Sequence, residues 1–396
     1  MKCATELFRC RVILGHITKL PVWHSKTPHF RSMSSDSTAT NNLGDVLVSD
    51  VNGKRVLTVS RPKSLNALSL HMIRKMYPLV KKLDGVKMIL LKGDGGKAFC
   101  AGGDVRSITE AGKKGDSLAQ DFFREEYNLN YSLGTCRVPV VALIDGITMG
   151  GGVGISVHGP FRVATERTLF AMPETAIGLF PDVGGSYFMP RMQGKLGLYL
   201  ALTGVRLRGR DCLDAGIATH FVESTLLKDV ESELLAIKSE NVSKAAIEQV
   251  LTKFQKQSTA GKQHQFSLQP YLEKIDRLFG AKSMEEIWKR LEHDGSPWAL
   301  EQLGIMKKMS PTSMKVSMRQ LEYGAKLDLK ECFKMEYRMS QHFILDHDFY
   351  EGVRAVLVEK DNAPKWKPAT LEGVSEDKVK WFFSSLSPEK ELVIAD

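Results

Sequence analysis

The sequence lacks a long apolar run, a cysteine pattern and a strong excess of charge. No apolar stretch in its 396 residues approaches the roughly 18 residues of a membrane-spanning helix, so we predict no membrane partner. The six cysteines are scattered without a Cys-x-x-Cys pair, which predicts neither a disulfide framework nor a zinc site. With 43% hydrophobic and 26% charged residues, the composition is typical of a globular protein in a reducing compartment.

The net charge of +9 is concentrated at the amino terminus. Six Lys or Arg residues and one Glu in residues 1–35 account for five of these nine charges. The remaining charge is mild and no basic cluster is interleaved with aromatics, so we predict no nucleic-acid partner. Residues 1–35 are basic, Ser-rich and nearly free of acids, a composition that predicts a mitochondrial transit peptide. Residues 36–44 are predicted to be a polar leader. A tail without consequence is the alternative.

Strand and helix patterns alternate from about residue 45 to residue 223. Asn52-Gly53 lies between two alternating apolar runs and predicts a hairpin. The β-branched run at 138–144 predicts a buried strand. Helical periodicity dominates from 224 to 396 and includes one long predicted helix at 321–343. We therefore predict an α/β fold with a catalytic or binding core at 45–223 and a mostly helical C-terminal part at 224–396.

Two glycine-rich loops, Gly102-Gly103 and Gly150-Gly151-Gly152, each precede a predicted helix. Glycines leave backbone N–H groups uncovered, and a helix start is the positive end of the helix dipole. Each loop can therefore hold a developing oxyanion. A plain tight turn between strand and helix is the alternative.

Two acids, Glu174 and Asp182, follow the second loop among apolar residues such as Met172, Leu179 and Phe180. A carboxylate in apolar surroundings is costly unless it has partners or a task. The pattern favours functional acids, and exposed loop positions are the alternative.

Five segments, in order and at the right spacing, resemble the crotonase (enoyl-CoA hydratase/isomerase) superfamily. They are Arg61-Pro-Lys-Ser-Leu-Asn-Ala-Leu, Lys97-Ala-Phe-Cys-Ala-Gly-Gly-Asp, Ile144-Asp-Gly-Ile-Thr-Met-Gly-Gly-Gly, Phe170-Ala-Met-Pro-Glu-Thr-Ala-Ile-Gly-Leu and Pro181-Asp-Val-Gly-Gly. The resemblance implies a crotonase-type spiral of ββα units and an acyl-CoA substrate held by the N–H groups of Gly103 and Gly151. It implies no separate cofactor, because CoA belongs to the substrate, and no metal.

One departure from the superfamily pattern bears on the reaction. Hydratases of the superfamily use two glutamates; one is kept here as Glu174, while the other position is Gly154. The pair Glu174 and Asp182 instead resembles the thioester-hydrolase branch, which acts on a 3-hydroxyacyl-CoA in valine breakdown. That branch implies that Glu174 attacks the thioester or activates water, and that Asp182 orients the 3-hydroxyl or assists the water.

Other assignments are less specific. Glu126 is predicted to join Gly151, Glu174 and Asp182 in substrate binding, with a solvated helix face as the alternative. The turn at 64–68 lies beside the nucleotide end of CoA or simply caps a helix. His158 and His220 are predicted to be structural.

Two other functions stay open at this point: an enoyl-CoA hydratase or isomerase, and a non-catalytic scaffold binding acyl-CoA or RNA. The transit peptide predicts the mitochondrial matrix. A homo-oligomer is left open, since the sequence does not fix the oligomeric state.

Overall fold

Eleven β-strands form two sheets within the residues that the computed structural model describes, which are 41–42 and 44–394. In chain order the strands are β1 (Asn41–Asn42), β2 (Val46–Val51), β3 (Lys54–Val59), β4 (Met88–Gly93), β5 (Ala98–Cys100), β6 (Val140–Ile144), β7 (Ile147–Met149), β8 (Phe161–Ala164), β9 (Leu169–Ala171), β10 (Leu207–Arg208) and β11 (His220–Phe221). The first sheet has the order β1-β2-β3-β4-β6-β8-β11, and the second has the order β10-β9-β7-β5. The predicted transit peptide and most of the polar leader lie outside the described residues.

The first sheet follows the sequence patterns closely. The predicted hairpin joins β2 to β3 in antiparallel pairing, with Asn52 and Gly53 at φ of 49° and 72°, as a two-residue turn of this type requires. From β3 onward the neighbouring strands β4, β6, β8 and β11 pair in parallel. All five residues of β6 are buried, which explains the continuous apolar run in that segment.

The second sheet was not predicted, because its strands have at most three residues, and β5 and β7 adjoin the glycine-rich loops. β7 is at its centre, pairing in parallel with β5 on one side and with β9 on the other. Gly103, Gly151 and Glu174 each follow the end of one of these three strands. Because the carboxyl ends of parallel strands meet at one edge, this sheet brings the three predicted site residues together.

Sixteen α-helices occur in the described part of the chain. They are α1 (Leu70–Lys81), α2 (Val105–Lys113), α3 (Leu118–Gly134), α4 (Gly151–Gly154), α5 (Gly185–Phe188), α6 (Leu196–Thr203), α7 (Asp211–Asp214), α8 (Leu227–Ala236), α9 (Lys244–Thr259), α10 (Leu272–Phe279), α11 (Met284–Asp294), α12 (Pro297–Met306), α13 (Pro311–Gly324), α14 (Leu329–Phe343), α15 (His347–Val353) and α16 (Glu376–Phe382). A π-helical turn, Arg354–Val358, follows α15. The predicted α/β class with a mostly helical C-terminal part is confirmed.

The single long helix predicted at 321–343 is wrong. The chain forms α13 and α14 with a break between them, and α13 begins ten residues earlier than predicted. Asp328 caps α14 by accepting a hydrogen bond from the Glu331 N–H at 2.8 Å. This N-cap starts a new helix, although the apolar spacing on both sides matches one continuous helix.

One hydrophobic core includes side chains from both sides of residue 223. The ring of Phe180, a residue between β9 and β10, lies 5.2 Å from the Phe343 ring on α14. The Phe123 ring on α3 lies 6.5 Å from the Phe349 ring on α15. The division of the chain at 223 and 224 therefore stays a prediction. None of the helices in the described ranges has the length and apolar character to cross a membrane.

Candidate active site

Two backbone N–H groups, of Gly103 and Gly151, lie close together at the edge of the second sheet. Leu68 pairs with the residues on either side of Gly103: its N–H donates to Gly102 O and its O accepts from Asp104 N, both at 2.8 Å. The N–H of Gly103 therefore faces the other way, and neither it nor the N–H of Gly151 donates to an acceptor in the described residues. A Cβ built on Gly151 would lie 3.2 Å from Gly103 N, so the two loops are neighbours.

Glu174 lies directly beside these glycines. It begins the 3-10 helix Glu174–Ile177, which follows β9, and its Oε1 would be 3.1 Å from a Cβ built on Gly150. Only 5% of the residue is exposed, and its Oε2 has no hydrogen-bond partner. Burial, and next the negative charge of Asp182, raise the pKa of Glu174 well above its ordinary value.

Asp182 and Glu126 complete a cluster of three buried carboxyls. Asp182 Oδ2 accepts a hydrogen bond from the Tyr127 hydroxyl at 2.9 Å. Burial raises the pKa of Asp182 to about 7, against the opposing effect of that hydrogen bond. The pKa of Glu126 is raised by burial first and then by the charges of Asp182 and Glu174. Because burial and neighbouring negative charges both disfavour ionisation, these raised pKa values mark the cluster as a candidate site of acid–base chemistry.

Glu126 lies inside the site, so the alternative of a solvated helix face is wrong. It is 2% exposed, and its Oε1 would be 2.5 Å from a Cβ on Gly151. That oxygen, like Glu174 Oε2, has no hydrogen-bond partner. The structure thus brings together every residue that the sequence predicted for the site. Their roles in catalysis and binding stay predictions.

No side chain fits at Gly154. A Cβ there would lie 2.6 Å from the Val183 Cβ and 2.6 Å from the Asn130 Nδ2. The segment that carries Asp182 therefore occupies the space into which a side chain at 154 would extend. A glutamate cannot be accommodated here without moving this segment.

Sequence reasoning missed two polar residues of the site, Tyr127 and Asn130. Both lie on α3, one and four residues after Glu126, and both are buried. The amide of Asn130 has no hydrogen-bond partner at either its nitrogen or its oxygen. The helical spacing of Glu126 and Asn130, which puts i and i+4 on one face, was the available signal.

The two histidines have structural contacts. His158 Nε2 lies 2.8 Å from Val183 O, and burial lowers the pKa of His158 to about 4, so the neutral ring donates to that carbonyl. His220 lies on β11 and contacts Thr219 and Glu248, at 3.0 and 3.2 Å. Neither ring contacts Glu174 or Asp182, in agreement with the prediction.

A pocket of about 270 Å³ opens beside the first glycine loop. It is lined by the segments 62–66 and 94–98, including Lys63 and Lys97. The turn is fixed by Asn66, whose amide donates to Asp94 O and Ala98 O, both at 2.8 Å. The helix cap belongs to Ser69, which accepts from Met72 N, so capping is not the task of residues 64–68.

The candidate metal ligands of the described residues lie elsewhere. Asp211, Asp214 and His264 have ligand atoms within 4.8 Å of one another. His264 is already paired with Asp214 at 2.7 Å. This group is remote in sequence from the site residues, and nothing around it indicates an ion. The predicted absence of a metal and of a separate cofactor stays a prediction.

Comparisons with known proteins agree with the predicted superfamily. The model of the enoyl-CoA hydratase/isomerase family matches residues 54–383. A Danio rerio protein named "3-hydroxyisobutyryl-CoA hydrolase, mitochondrial" is 58% identical over 351 residues, which cover 88% of this chain and 91% of that protein. A Gallus gallus protein of the same name is 55% identical over 350 residues, covering 88% and 90%.

The fold is likewise found among solved structures. The crystal structure of a carnitinyl-CoA dehydratase from Mycobacterium thermoresistibile superposes with a TM-score of 0.80 at 35% identity, and covers 88% of this chain and 98% of that one. The crotonase-type fold predicted from the five segments is confirmed.

Proposed function

We propose that this chain, which belongs to the enoyl-CoA hydratase/isomerase family, is an enzyme that hydrolyses 3-hydroxyisobutyryl-CoA to 3-hydroxyisobutyrate and CoA. This substrate is the one in the names of the Danio rerio and Gallus gallus relatives. One observation carries the proposal. The N–H groups of Gly103 and Gly151, which donate to no acceptor in the described residues, lie beside the buried carboxyl of Glu174, whose Oε2 has no hydrogen-bond partner. The reaction is a step of valine breakdown, as the sequence resemblance implies.

The two amides act on the thioester carbonyl. Its oxygen lies between the N–H groups of Gly103 and Gly151 and gains negative charge as the carbon becomes tetrahedral. Preorganised donors in a site that excludes water stabilise that charge strongly, and one such donor is worth about 3–4 kcal/mol in comparable sites. The burial of the surrounding carboxyls supports a site of this kind.

Glu174 supplies the nucleophile by one of two routes. It attacks the carbonyl carbon and forms a mixed anhydride, which water opens, or it removes a proton from water as the water attacks. In both routes the bond between carbon and sulfur breaks, CoA leaves as a thiolate, and the acyl carbon gains an oxygen from Glu174 or from water. Burial raises the pKa of Glu174, so its ionised carboxylate is a stronger base than an exposed one.

Asp182 and Glu126 hold the acyl group. Asp182 is an acceptor for the 3-hydroxyl of the substrate, and its Oδ2 is held by a hydrogen bond from Tyr127. The unpartnered Oε1 of Glu126, close to Gly151, gives a second acceptor beside the thioester. A buried polar group without a partner is costly, so these oxygens favour a polar ligand.

The alternative of a hydratase is disfavoured by the filled space beside Gly154. The dehydratase of known structure shares the fold, so the fold alone does not select the reaction. In this chain, however, Val183 and Asn130 fill the space next to Gly154 where a second glutamate would stand. Addition of water to a double bond by two glutamates at these positions is therefore not available.

We assign the nucleotide end of CoA to the pocket lined by Lys63 and Lys97. Leu68 and Gly103, which pair with each other, follow the pocket segments 62–66 and 94–98 within five residues. A ligand bound in the pocket can therefore reach the oxyanion hole. Lysine ammonium groups are common partners of phosphates. If the assignment holds, Lys63→Ala with Lys97→Ala raises KM for the CoA thioester and leaves KM for the matching pantetheine thioester unchanged.

The test of the main proposal is a direct comparison of two reactions. We expect the purified chain to release free thiol from 3-hydroxyisobutyryl-CoA, measured with a thiol reagent, and to leave the double-bond absorbance of crotonyl-CoA unchanged. Hydration of crotonyl-CoA without thiol release would contradict the proposal and favour the hydratase. If neither substrate reacts although acyl-CoA binds, the scaffold alternative gains.

An isotope experiment tests the anhydride route of Glu174. After many turnovers in ¹⁸O water, an ¹⁸O label in the carboxyl of Glu174, detected by peptide mass spectrometry, establishes an anhydride that water opens at the Glu174 carbon. Label found only in the product is expected for direct activation of water and equally for an anhydride that water opens at the acyl carbon of the substrate.

We further propose the mitochondrial matrix as the location, on the printed location of the relatives and the composition of residues 1–35. A fusion of residues 1–40 to a reporter is expected to enter mitochondria and to resist added protease after the outer membrane is opened. A cytosolic reporter would contradict this location.

A further inference from the structure

The segment that presents Asp182 has an unfavourable backbone conformation. Val183 has φ of +52° and Gly184 has φ of +87°. A β-branched residue rarely adopts the left-handed region, so this conformation is strained. Other contacts must therefore hold this segment, 181–186, in place.

Three side chains, those of His158, Gln320 and Glu336, bind segment 181–186, and Gln320 and Glu336 are fully buried. His158 donates to Val183 O at 2.8 Å. Gln320, on α13, donates to Pro181 O at 2.6 Å and to Ser186 Oγ at 2.9 Å. Two of these three anchors, Gln320 and Glu336, come from the C-terminal helical part.

Glu336, on α14, makes the most complete contact. Its Oε2 accepts from Gly184 N at 2.7 Å and its Oε1 from Ser186 N at 2.8 Å. The residue is fully buried. Burial raises the pKa of Glu336 to about 8, the two N–H groups oppose that change, and the charge of Asp182 adds to it. Unlike Glu126 and Glu174, Glu336 keeps no oxygen free for a ligand.

We propose that Glu336 is a positioning residue for the reaction: by binding the N–H groups of Gly184 and Ser186, it holds the strained segment that aims Asp182 at the substrate. The C-terminal helical part thus contributes to catalysis without touching the substrate. The kinetic part of this proposal rests on the proposed function, whereas its structural part does not.

The structural part is tested by hydrogen exchange of the full chain. We expect Glu336→Gln to speed the exchange of the Gly184 and Ser186 amides at least tenfold, because a Gln side chain can accept at only one of its two polar atoms. Glu331→Gln is the matched control: Glu331 lies on the same helix, is exposed, and forms an ion pair with Lys334 at 2.7 Å. Equal exchange of these amides in wild type and Glu336→Gln would overturn the proposal.

The kinetic part is tested by a double-mutant cycle. We expect Glu336→Gln to lower kcat/KM about tenfold to a hundredfold, as a displacement of about 1 Å does in other sites. In an Asp182→Ala background the same substitution should have no further effect, because no carboxylate remains to be positioned. An equal loss in both backgrounds would show a general structural effect and overturn the positioning role.

A second variant covers the case in which Glu336→Gln does not fold. Gln320→Met keeps the volume but removes the donors to Pro181 O and Ser186 Oγ, and it should show the same pattern with a smaller loss. If Gln320→Met lowers kcat/KM by the same factor in the Asp182→Ala background as in wild type, the positioning of segment 181–186 by the C-terminal part is contradicted. Failure of wild type to release thiol would contradict the proposed function alone, since the exchange experiment still decides the structural part.

Discussion

Two regions of the molecule bury glutamates to a similar degree but treat them in opposite ways. At the edge of the second sheet, Glu126 and Glu174 each keep one oxygen without a partner. Close by, at the start of α5, both oxygens of Glu336 are bound by backbone N–H groups. Burial is therefore the same, and the hydrogen-bond partners differ.

The difference separates the carboxyls that we propose to act on the substrate from the carboxyl that we propose to support the backbone. A buried carboxyl without partners lowers stability and is retained where a ligand uses it. A buried carboxyl with both oxygens paired stabilises the backbone that it binds. The same comparison explains why the raised pKa values of both groups do not by themselves identify the catalytic residue.

The largest expected effect is on activity at Glu174. Glu174→Gln removes the nucleophile or base with little change of shape, so thiol release from the acyl-CoA should fall about 10³-fold. The thermal midpoint of unfolding should be unchanged or higher. A variant with wild-type turnover would end the catalytic role of Glu174 and favour the scaffold.

The comparison is tested directly by a matched pair of stability measurements. Glu336→Leu leaves the N–H groups of Gly184 and Ser186 without acceptors and should lower the free energy of unfolding by about 2–5 kcal/mol. Glu174→Leu removes a carboxyl with an unpartnered oxygen, so it should lower the free energy of unfolding much less, or raise it. Denaturant titrations of both variants measure the difference. Equal losses would show that the two glutamates are not distinguished by their partners.

A smaller loss of activity is expected at Gly151. In Gly151→Ala the new methyl group would lie 2.5 Å from Glu126 Oε1 and 3.2 Å from Gly103 N, in the space of the thioester oxygen. We expect kcat/KM to fall about 10²-fold, as after loss of one oxyanion donor. Gly304→Ala is the control, since a methyl group there meets no atom within 4 Å. Similar kinetics for the two variants would contradict the oxyanion hole.

The smallest expected effect is a shift of the pH profile. Tyr127→Phe removes the hydrogen bond that opposes the raised pKa of Asp182, so that pKa should rise further above about 7. If the ionised cluster is the active form, the rate increases with pH through this range, and the rising limb in the variant should move up by about 0.5–1 pH unit. If the rising limb of the pH profile stays in place or moves to lower pH in the variant, Asp182 is not the group whose titration sets that limb.

The sequence revealed the candidate site residues better than the residues that support them. Glycine loops and acids in apolar surroundings are local patterns, and the resemblance to the superfamily singled out Gly103, Gly151 and Glu174 among them. Asn130 could have been added from its i, i+4 spacing to Glu126, whereas no spacing rule points to Tyr127. Nor could Glu336 be predicted, since it lies 150 residues from Ser186 and no spacing rule joins them.

Prediction of the strands and helices was likewise limited to what local sequence determines. The hairpin at Asn52-Gly53 and the buried strand β6 follow from local chemistry and were predicted correctly. The three-residue strands of the second sheet are too short to show a period, and the break between α13 and α14 depends on one capping residue, Asp328.

By itself, the sequence determined the α/β class, the glycine donors and the acids that face them, because these depend on residue type and short spacing. Only the tertiary structure decided that Glu126 enters the site, that the space beside Gly154 is filled, and that Glu336 binds segment 181–186. Each of those facts depends on contacts between segments distant in the chain, which packing alone creates.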